Sequence, residues 1–279
     1  MNIYEALEYA KEHKMDSFDA RALLSHFINK NESFIITHTN DFKLSSNEAI
    51  LFTDACREIE SGKPLQYITN YQYFYGYKFF VDEAVLIPQP DTEVLVASAI
   101  ETIKKMLKKK SDDEEISVLD MCTGSGAIAI SIKKQFEDVK NLKVMASDIS
   151  KKALEVAKKN AKEILKNENS IGWLNSDLFD GITEKFDLIV SNPPYIRTAD
   201  LEKLPDDVKH EPIIALDGGK DGLDMYRRIR VQVPNNMKEN SILIMEIGYD
   251  QKEDVMSLFE DSRCLKDFAQ NDRVIIWKK

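Results

Sequence analysis

The sequence has few of the residues on which disulfide-bonded, metal-binding and membrane proteins depend. Its 279 residues include three cysteines and four histidines, and these form neither a CxxC pair nor the spacing of a zinc site. No apolar run approaches the roughly 20 residues that a membrane helix needs, and residues 1–5 lack the basic and apolar segments of a signal peptide. We therefore expect a cytoplasmic protein with no disulfide, metal or membrane partner.

Positive charge is also scarce. Lys and Arg total 38 against 48 Asp and Glu, which gives a formal net charge of −10. Proteins that bind DNA or RNA usually cluster Lys and Arg against the phosphates, so we expect no direct nucleic-acid partner. Apolar residues make up 43% of the chain, which is typical of a globular protein with a hydrophobic core. We expect it to be a monomer.

Three segments differ in their hydrophobic pattern. Residues 1–64 place apolar side chains at helical spacing, with Ser46 as a plausible cap of one helix, and predict a small helical domain. Residues 65–87 are rich in Tyr and Phe and predict a β-hairpin that connects two domains. Residues 88–279 alternate strands and helices, which is typical of an α/β domain whose mostly parallel sheet carries helices on both faces. Its predicted strands are 117–121, 143–147, 172–175, 186–191, 242–247 and, as a possible last strand, 274–278.

A turn containing two glycines follows the first of these strands. Glycine lets the backbone approach a ligand closely, and a helix N-terminus lies behind the turn. The pattern also satisfies a loose dinucleotide-binding fingerprint, so by itself it indicates a ligand site and no particular chemistry. The residues of this turn are Cys122, Thr123, Gly124, Ser125 and Gly126.

Acidic residues end the next two strands. Asp148 can accept hydrogen bonds from both ribose hydroxyls of an adenosine, although it can also cap the helix that begins near Lys151. Asp177 can accept a hydrogen bond from the adenine amino group, while Leu178 packs on the ring. The second pair alone would indicate little more than a turn.

The segment Asn192-Pro193-Pro194-Tyr195 indicates which chemistry takes place at the predicted ligand site. Two prolines after a buried strand end the strand ladder and make a stiff loop at its carboxyl end, where parallel sheets bind ligands. The Asn192 side-chain oxygen and the Pro193 carbonyl can accept both hydrogens of a planar –NH2 group. Tyr195 can then stack on the group that carries it. An amide nitrogen held in this way directs its lone pair at a sulfonium methyl, so that positioning and electrostatics supply the catalysis.

These residues, in this order, resemble the release-factor glutamine methyltransferase family (the HemK/PrmC type) within the class I S-adenosylmethionine-dependent methyltransferases. Further similar segments are 86–93, 211–223 and 271–274, so the resemblance covers nearly the whole chain. It implies a Rossmann-like catalytic domain, S-adenosylmethionine as methyl donor and S-adenosylhomocysteine as product. It also implies that the substrate is the Gly-Gly-Gln glutamine of class 1 peptide chain release factors, methylated at N5, and that residues 1–64 dock the release factor.

The resemblance also implies roles for single residues. Residues 122–126, Asp148 and Leu178 would line the cofactor site, Asn192 would contact both cofactor and substrate, and Pro193, Pro194 and Tyr195 would hold the glutamine. Three positions depart from the family pattern: Cys122 replaces a glycine, Gln89 an arginine and Leu178 a tryptophan found in some members. We expect these departures to change affinity more than the type of reaction.

Other functions stay open at this stage. A glutamine methyltransferase of a ribosomal protein would use the same catalytic logic, and an N6-adenine methyltransferase also acts on an –NH2 of a planar carbon. An NAD-dependent oxidoreductase or a non-catalytic nucleotide-binding module would suit the glycine turn and Asp148. Neither of the last two explains the stiff loop at residues 192–195.

Overall fold

The computed structural model describes residues 1–111, 113–167 and 170–279. These residues form two compact units. The first comprises Met1–Tyr71 and Leu204–His210, and the second comprises Gln72–Lys203 and Glu211–Lys279. Within the described ranges, no helix has the length and apolar character required to cross a bilayer.

The first unit is helical. Its N-terminal helices bury an apolar core that includes Ile3, Leu23 and Phe52. The fourth helix is capped by Ser45, which pairs with Glu48 in a capping box, so the cap predicted at Ser46 was wrong by one residue. The helices of this part of the chain are α1 (Ile3–Glu12), α2 (Ser17–Ile28), α3 (Glu32–Thr37), α4 (Ser46–Glu60) and α5 (Leu65–Thr69).

A two-stranded hairpin follows, with strands β1 (Tyr71–Phe74) and β2 (Tyr77–Phe80). Both turn residues between them, Tyr75 and Gly76, have positive φ angles of 50° and 79°, which matches the right-handed twist of tight hairpins. The predicted hairpin is therefore confirmed. It is shorter than the aromatic segment from which it was predicted, because that segment begins with α5.

The second unit contains a sheet in the order β5-β4-β3-β6-β7-β9-β8. Strands β3 to β7 are parallel, and β9 lies antiparallel between β7 and β8. The remaining helices and strands of the chain, of which α9 belongs to the first unit, are α6 (Glu93–Leu107), β3 (Ile116–Met121), α7 (Ala127–Gln135), β4 (Leu142–Asp148), α8 (Lys151–Ile164), β5 (Gly172–Asn175), β6 (Phe186–Ser191), α9 (Asp206–Lys209), α10 (Ile213–Leu216), α11 (Asp224–Gln232), β7 (Met237–Glu246), α12 (Lys252–Leu258), β8 (Arg263–Lys266) and β9 (Asp272–Lys278).

Alternate residues of the strands enter two separate cores. Val118 packs in a cluster with side chains of α6 and α7, whereas its neighbour Leu119 packs in a cluster with side chains of α11 and α12. Successive side chains of a strand point to opposite faces of the sheet, so helices cover both faces. The predicted α/β class and mostly parallel sheet are confirmed.

The strands that carry the site residues match the sequence-based prediction closely. β5 and β6 have the predicted bounds, and β3 and β4 are longer by one or two residues. β8 was missed. It is a four-residue strand with exposed or half-exposed side chains, so the sequence has neither the length nor the alternation that predicts a strand.

Candidate functional site

A cavity of about 410 Å³ lies where β3, β4 and β6 end. The strand order reverses between β3 and β6, since β4 and β5 lie on one side and β7 on the other. Such a switch point opens a crevice at the carboxyl ends of the strands. Of the predicted site residues, the following line the cavity: Cys122, Thr123, Gly124, Ser125, Asp148, Asp177, Leu178, Asn192 and Pro194.

Three predicted residues do not line this cavity: Gly126, Pro193 and Tyr195. Gly126 has a packing reason for lacking a side chain. A Cβ atom there would lie 2.8 Å from Ile130 Cδ1 and 3.1 Å from Ala157 Cβ, so the glycine permits α7 and α8 to approach each other. Tyr195 and Pro193 belong to the loop whose other members, Asn192 and Pro194, do line the cavity.

The backbone of residues 122–126, the glycine turn, is left-handed at three positions. Gly124 and Gly126 have φ angles of 55° and 81°, and Cys122 has a φ of 61°. The turn thus requires the conformation that glycine adopts most easily, and Cys122 adopts it at the cost of some backbone strain. A Cβ atom at Gly124 would meet nothing within 4 Å, so the backbone here is open to a ligand.

A buried acid, Asp120, accepts hydrogen bonds from the glycine turn and from the helix that follows it. Its Oδ2 accepts hydrogen bonds from Thr123 Oγ1 at 2.6 Å and from the Ala129 amide at 3.0 Å. Its Oδ1 has no hydrogen-bond partner among the described residues, and burial raises the pKa of the carboxyl to about 7. The sequence analysis placed Asp120 within the strand 117–121 and gave it no role. An acid inside an apolar strand is the signal that could have indicated a functional residue here.

Asp148 joins the glycine turn to the next strand. Its Oδ2 accepts a hydrogen bond from the Gly124 amide at 2.9 Å, and its Oδ1 accepts one from the Ser150 amide at 2.8 Å. The cap of α8 is Ser150, whose Oγ accepts from the Ala153 amide, so the capping role considered for Asp148 is wrong. Burial raises the pKa of Asp148. Each carboxylate oxygen keeps a further lone pair for a ligand in the cavity.

Asp177 and Leu178 form another part of the cavity wall. Asp177 Oδ2 lies 2.8 Å from Arg228 Nη2, a partner from α11 that the sequence did not indicate. Leu178 is 3% exposed and has a positive φ of 52°. Its apolar side chain therefore forms a fixed surface beside the Asp177–Arg228 ion pair.

Residues 192–195, the proline loop, begin at the end of β6. Asn192 Nδ2 lies 3.3 Å from Thr92 Oγ1 and donates a hydrogen bond to it. At the other end of the loop, the Tyr195 hydroxyl donates to Glu246 Oε1 at 3.1 Å. Neither partner was assigned a function from the sequence. Thr92 precedes α6 and lines the cavity, and Glu246 is the last residue of β7.

Glu246 is 2% exposed. Burial raises its pKa to about 7, although the nearby Thr92 hydroxyl, the charge of Arg273 and the hydrogen bond from Tyr195 each lower it. Among the described residues, Oε2 has no hydrogen-bond partner. A single buried carboxyl therefore faces both Thr92 and Tyr195.

The backbone of Tyr195 is held closely by two glycines and a glutamine. A Cβ atom at Gly218 would lie 2.7 Å from Tyr195 Cα, and one at Gly222 would lie 2.4 Å from the Tyr195 carbonyl oxygen. Gln251, 1% exposed, donates from Nε2 to that same oxygen at 2.9 Å. The conformation of the proline loop thus depends on segments distant in the sequence.

The segment before α6 completes the cavity wall. Gln89, one of the departures from the family pattern, lines the cavity and donates from Nε2 to the Ile87 carbonyl at 3.1 Å. The Ile87 amide donates to Glu211 Oε2 at 2.8 Å. Two of the segments that carry the resemblance, 86–93 and 211–223, are therefore joined at the site.

Known proteins are similar to this chain in sequence or in fold. Residues 5–69 match the PrmC N-terminal domain family, and residues 96–209 match the methyltransferase small domain family. The chain is 40% identical over 267 residues to the release factor glutamine methyltransferase of Clostridium acetobutylicum, covering 92% of this chain and 90% of that protein. It is 37% identical over 270 residues to the Bacillus cereus protein of the same name, covering 94% and 92%.

Among solved structures, the Thermus thermophilus 16S rRNA N2 G1207 methyltransferase, in complex with AdoMet and guanosine, superposes with a TM-score of 0.50. The likeness covers 75% of this chain and 49% of that one, at 15% identity. At this identity the similarity supports the fold, and the two sequence relatives carry the comparison further.

Proposed function

Since the chain belongs to the release factor glutamine methyltransferase family, we propose that it methylates the side-chain amide nitrogen of the glutamine in the Gly-Gly-Gln motif of class 1 peptide chain release factors, with S-adenosylmethionine as donor. The observation that supports this function best is the proline loop at the carboxyl end of β6. Its first residue, Asn192, lines the cavity beside the glycine turn.

The cavity has the features that an adenosine-containing methyl donor requires. Its volume of about 410 Å³ lies in the range of small-molecule sites. Asp148 offers lone pairs to the ribose hydroxyls, Leu178 offers an apolar surface to the adenine, and the open backbone at Gly124 leaves room for close approach. Because Asp177 is already paired with Arg228, its contact with the adenine amino group would use the carboxylate's remaining lone pairs. When bound, S-adenosylmethionine supplies an electrophilic methyl group on a sulfonium.

The proline loop binds and orients the amide. Asn192 Oδ1 and the Pro193 carbonyl accept its two hydrogens, Pro194 stiffens the loop, and the Tyr195 ring packs over the amide plane. Accepting both hydrogens increases electron density on the nitrogen and fixes the direction of its lone pair. As the new N–C bond forms, the bond between the methyl group and the sulfonium would break to leave S-adenosylhomocysteine, and the nitrogen would then lose one proton to water. Since alkylation acidifies that proton, no strong base is needed before transfer.

In this proposal, the first 64 residues provide the docking surface for the release factor. Residues 65–87 connect that domain to residues 88–279, which form the domain that catalyses methyl transfer. The enzyme acts as a cytoplasmic monomer without a nucleic-acid or membrane partner. The net charge of −10 supports a protein rather than a nucleic acid as substrate.

The test is to incubate the purified chain with S-adenosylmethionine and a class 1 release factor, and to map methyl groups by peptide mass spectrometry. We expect one methyl on the Gly-Gly-Gln glutamine. Asn192→Ala should lower the rate by about 10²–10³-fold, as deletion of an electrostatic contact to a transition state does elsewhere. Asn235→Ala, an exposed residue before the amino end of β7, is the matched control and should keep the wild-type rate.

Two results would contradict the proposal. A methyl on a ribosomal protein or an adenine base, with none on the release factor, would show that the proposed substrate is wrong. Greater thermal stabilisation by NAD than by S-adenosylhomocysteine would show that the proposed cofactor is wrong, because a ligand that binds only the folded state raises the melting temperature.

A further inference from the structure

Two residues outside the proline loop contact both of its ends. Thr92, 5% exposed, accepts a hydrogen bond from Asn192 Nδ2 at 3.3 Å. Glu246 Oε1 accepts one from the Tyr195 hydroxyl at 3.1 Å. Each end of the proline loop is thus held by a hydrogen bond to a buried side chain of another segment.

The direction of the Asn192–Thr92 hydrogen bond decides which end of the Asn192 amide is left for the cavity. A hydroxyl has lone pairs with which to accept, and Thr92 Oγ1 accepts from Asn192 Nδ2. Asn192 therefore uses its –NH2 group on Thr92, and its carbonyl oxygen is the group left for the cavity.

This direction matters because the two ends of an asparagine amide have nearly the same shape. A reversed amide would present Nδ2, a donor, to the substrate –NH2, which is itself a donor. At the other end of the loop, the buried Glu246 carboxyl fixes the ring of Tyr195 through its hydroxyl. Thr92 and Glu246 therefore set the orientation of the two side chains that the proposed function assigns to the glutamine amide.

We propose that Thr92 and Glu246 are positioning residues, which fix the Asn192 amide and the Tyr195 ring so that the proline loop offers hydrogen-bond acceptors to the substrate amide. This inference rests on the proposed function.

The test is a double-mutant cycle between Thr92→Val and Asn192→Ala. We expect Thr92→Val to lower kcat for release-factor methylation by about 10- to 100-fold, since a misplaced group can cost about 10² in rate. The KM for the release factor and the Kd for S-adenosylhomocysteine should stay within about threefold, because the change removes an interaction made in the transition state. In the Asn192→Ala background, Thr92→Val should have almost no further effect, since Thr92 acts through Asn192.

Two further variants separate positioning from a loss of structure. Thr92→Ser keeps the hydroxyl and should restore most of the activity. Thr102→Val makes the same change at a second buried threonine, which lies within α6 and is 9% exposed, and should leave kcat unaltered. If Thr92→Val does not fold, as judged by its melting temperature, Thr92→Ala provides the same cycle, because it also removes the hydroxyl that accepts from Asn192.

Additive effects of Thr92→Val and Asn192→Ala would overturn the inference. So would a Thr92→Ser enzyme as slow as Thr92→Val, or a loss confined to KM. In each of these cases the wild-type enzyme still methylates the release factor, so the proposed function stands. A wild-type chain without that activity would instead overturn the proposed function and this inference with it.

Discussion

The two loops beside the cavity are held in place by different means. The glycine turn is held mostly from nearby in the sequence: Thr123 and Ala129 donate hydrogen bonds to Asp120, three and nine residues away, and Gly124 donates one to Asp148, 24 residues away. The proline loop is held from far away. Asn192 bonds to a threonine 100 residues distant, and Tyr195 bonds to a glutamate 51 residues distant.

The difference separates two kinds of function. A turn built from local contacts forms wherever the strand and helix that flank it form, and its backbone can bind the part of a ligand common to many methyl donors. A loop fixed by distant segments keeps its shape only when the whole sheet is assembled, and it carries the proposed substrate specificity. Changes to the glycine turn should therefore affect the Kd for S-adenosylhomocysteine, whereas changes to the proline loop should affect kcat/KM for the release factor.

After Asn192→Ala, the largest expected effect comes from Gly218→Ala, which alters the proline loop without touching the glycine turn. The new Cβ would lie 2.7 Å from Tyr195 Cα and 2.8 Å from its carbonyl carbon, and backbone atoms cannot yield as a flexible side chain can. Since a displacement of about 1 Å can cost about 10² in rate, we expect kcat/KM for the release factor to fall by about that factor. The Kd for S-adenosylhomocysteine, measured by calorimetry, should change little.

Gly172→Ala is the matched control. A Cβ atom there would meet its nearest neighbour, Met145 Cγ, at 3.9 Å, an ordinary van der Waals distance. Near wild-type kcat/KM in Gly218→Ala, or an equal loss in both variants, would show that the fit of Tyr195 against Gly218 does not hold the loop.

The same difference explains how far the sequence could predict the site. The glycine turn and Asp148 were found because strand, turn and acid follow one another within a short stretch. The proline loop was found as a motif, but Thr92 and Glu246 were not assigned roles. Whether a threonine or a glutamate contacts a loop 51 to 100 residues away depends on sheet order, which periodicity does not specify.

Local sequence patterns also gave a wrong or incomplete prediction where two adjacent residues could each cap a helix, or where a side chain pairs with a residue distant in the sequence. Ser45 rather than Ser46 caps α4, because only Ser45 has a glutamate three residues later. Asp177 was expected to meet a ligand, and it also pairs with Arg228, 51 residues away. The α/β class and most strands were predicted correctly, since buried parallel strands are continuous apolar runs.

A smaller effect is expected from Asp148→Ala, which alters the glycine turn and leaves the proline loop intact. The variant loses the acceptor for the Gly124 amide and the proposed acceptor for the ribose hydroxyls. Lost charge-assisted hydrogen bonds should weaken S-adenosylhomocysteine binding by about 1.5–3 kcal/mol. At saturating S-adenosylmethionine, kcat should stay close to wild type. Asp180→Ala, an exposed acid after β5, should retain full affinity. An Asp148→Ala enzyme with unchanged affinity in calorimetry would reject the assignment.

The smallest effect should come from Asp187, which lies toward the amino end of β6 and belongs to neither loop. Its carboxylate bonds to Lys110 Nζ and Lys238 Nζ, each at 2.7 Å, and to the Ser117 amide at 2.9 Å. Burial raises the pKa of Asp187, but the bonds to the two lysines and the serine outweigh it and lower the pKa to about 2. This carboxylate should therefore stabilise the fold without affecting catalysis.

The pH dependence follows from the sign of that shift. A pKa lowered on folding stabilises the protein above the unfolded value of about 4, and the stabilisation is lost as pH falls toward about 2. Asp187→Asn should lower the free energy of unfolding in urea by about 1–2 kcal/mol at pH 7. The difference in free energy of unfolding between Asp187→Asn and the wild type should disappear as pH falls from about 4 to about 2. Asp200→Asn, which breaks a surface ion pair with Lys203, should change stability little. A gap that persists at low pH would show that Asp187 acts through shape rather than charge.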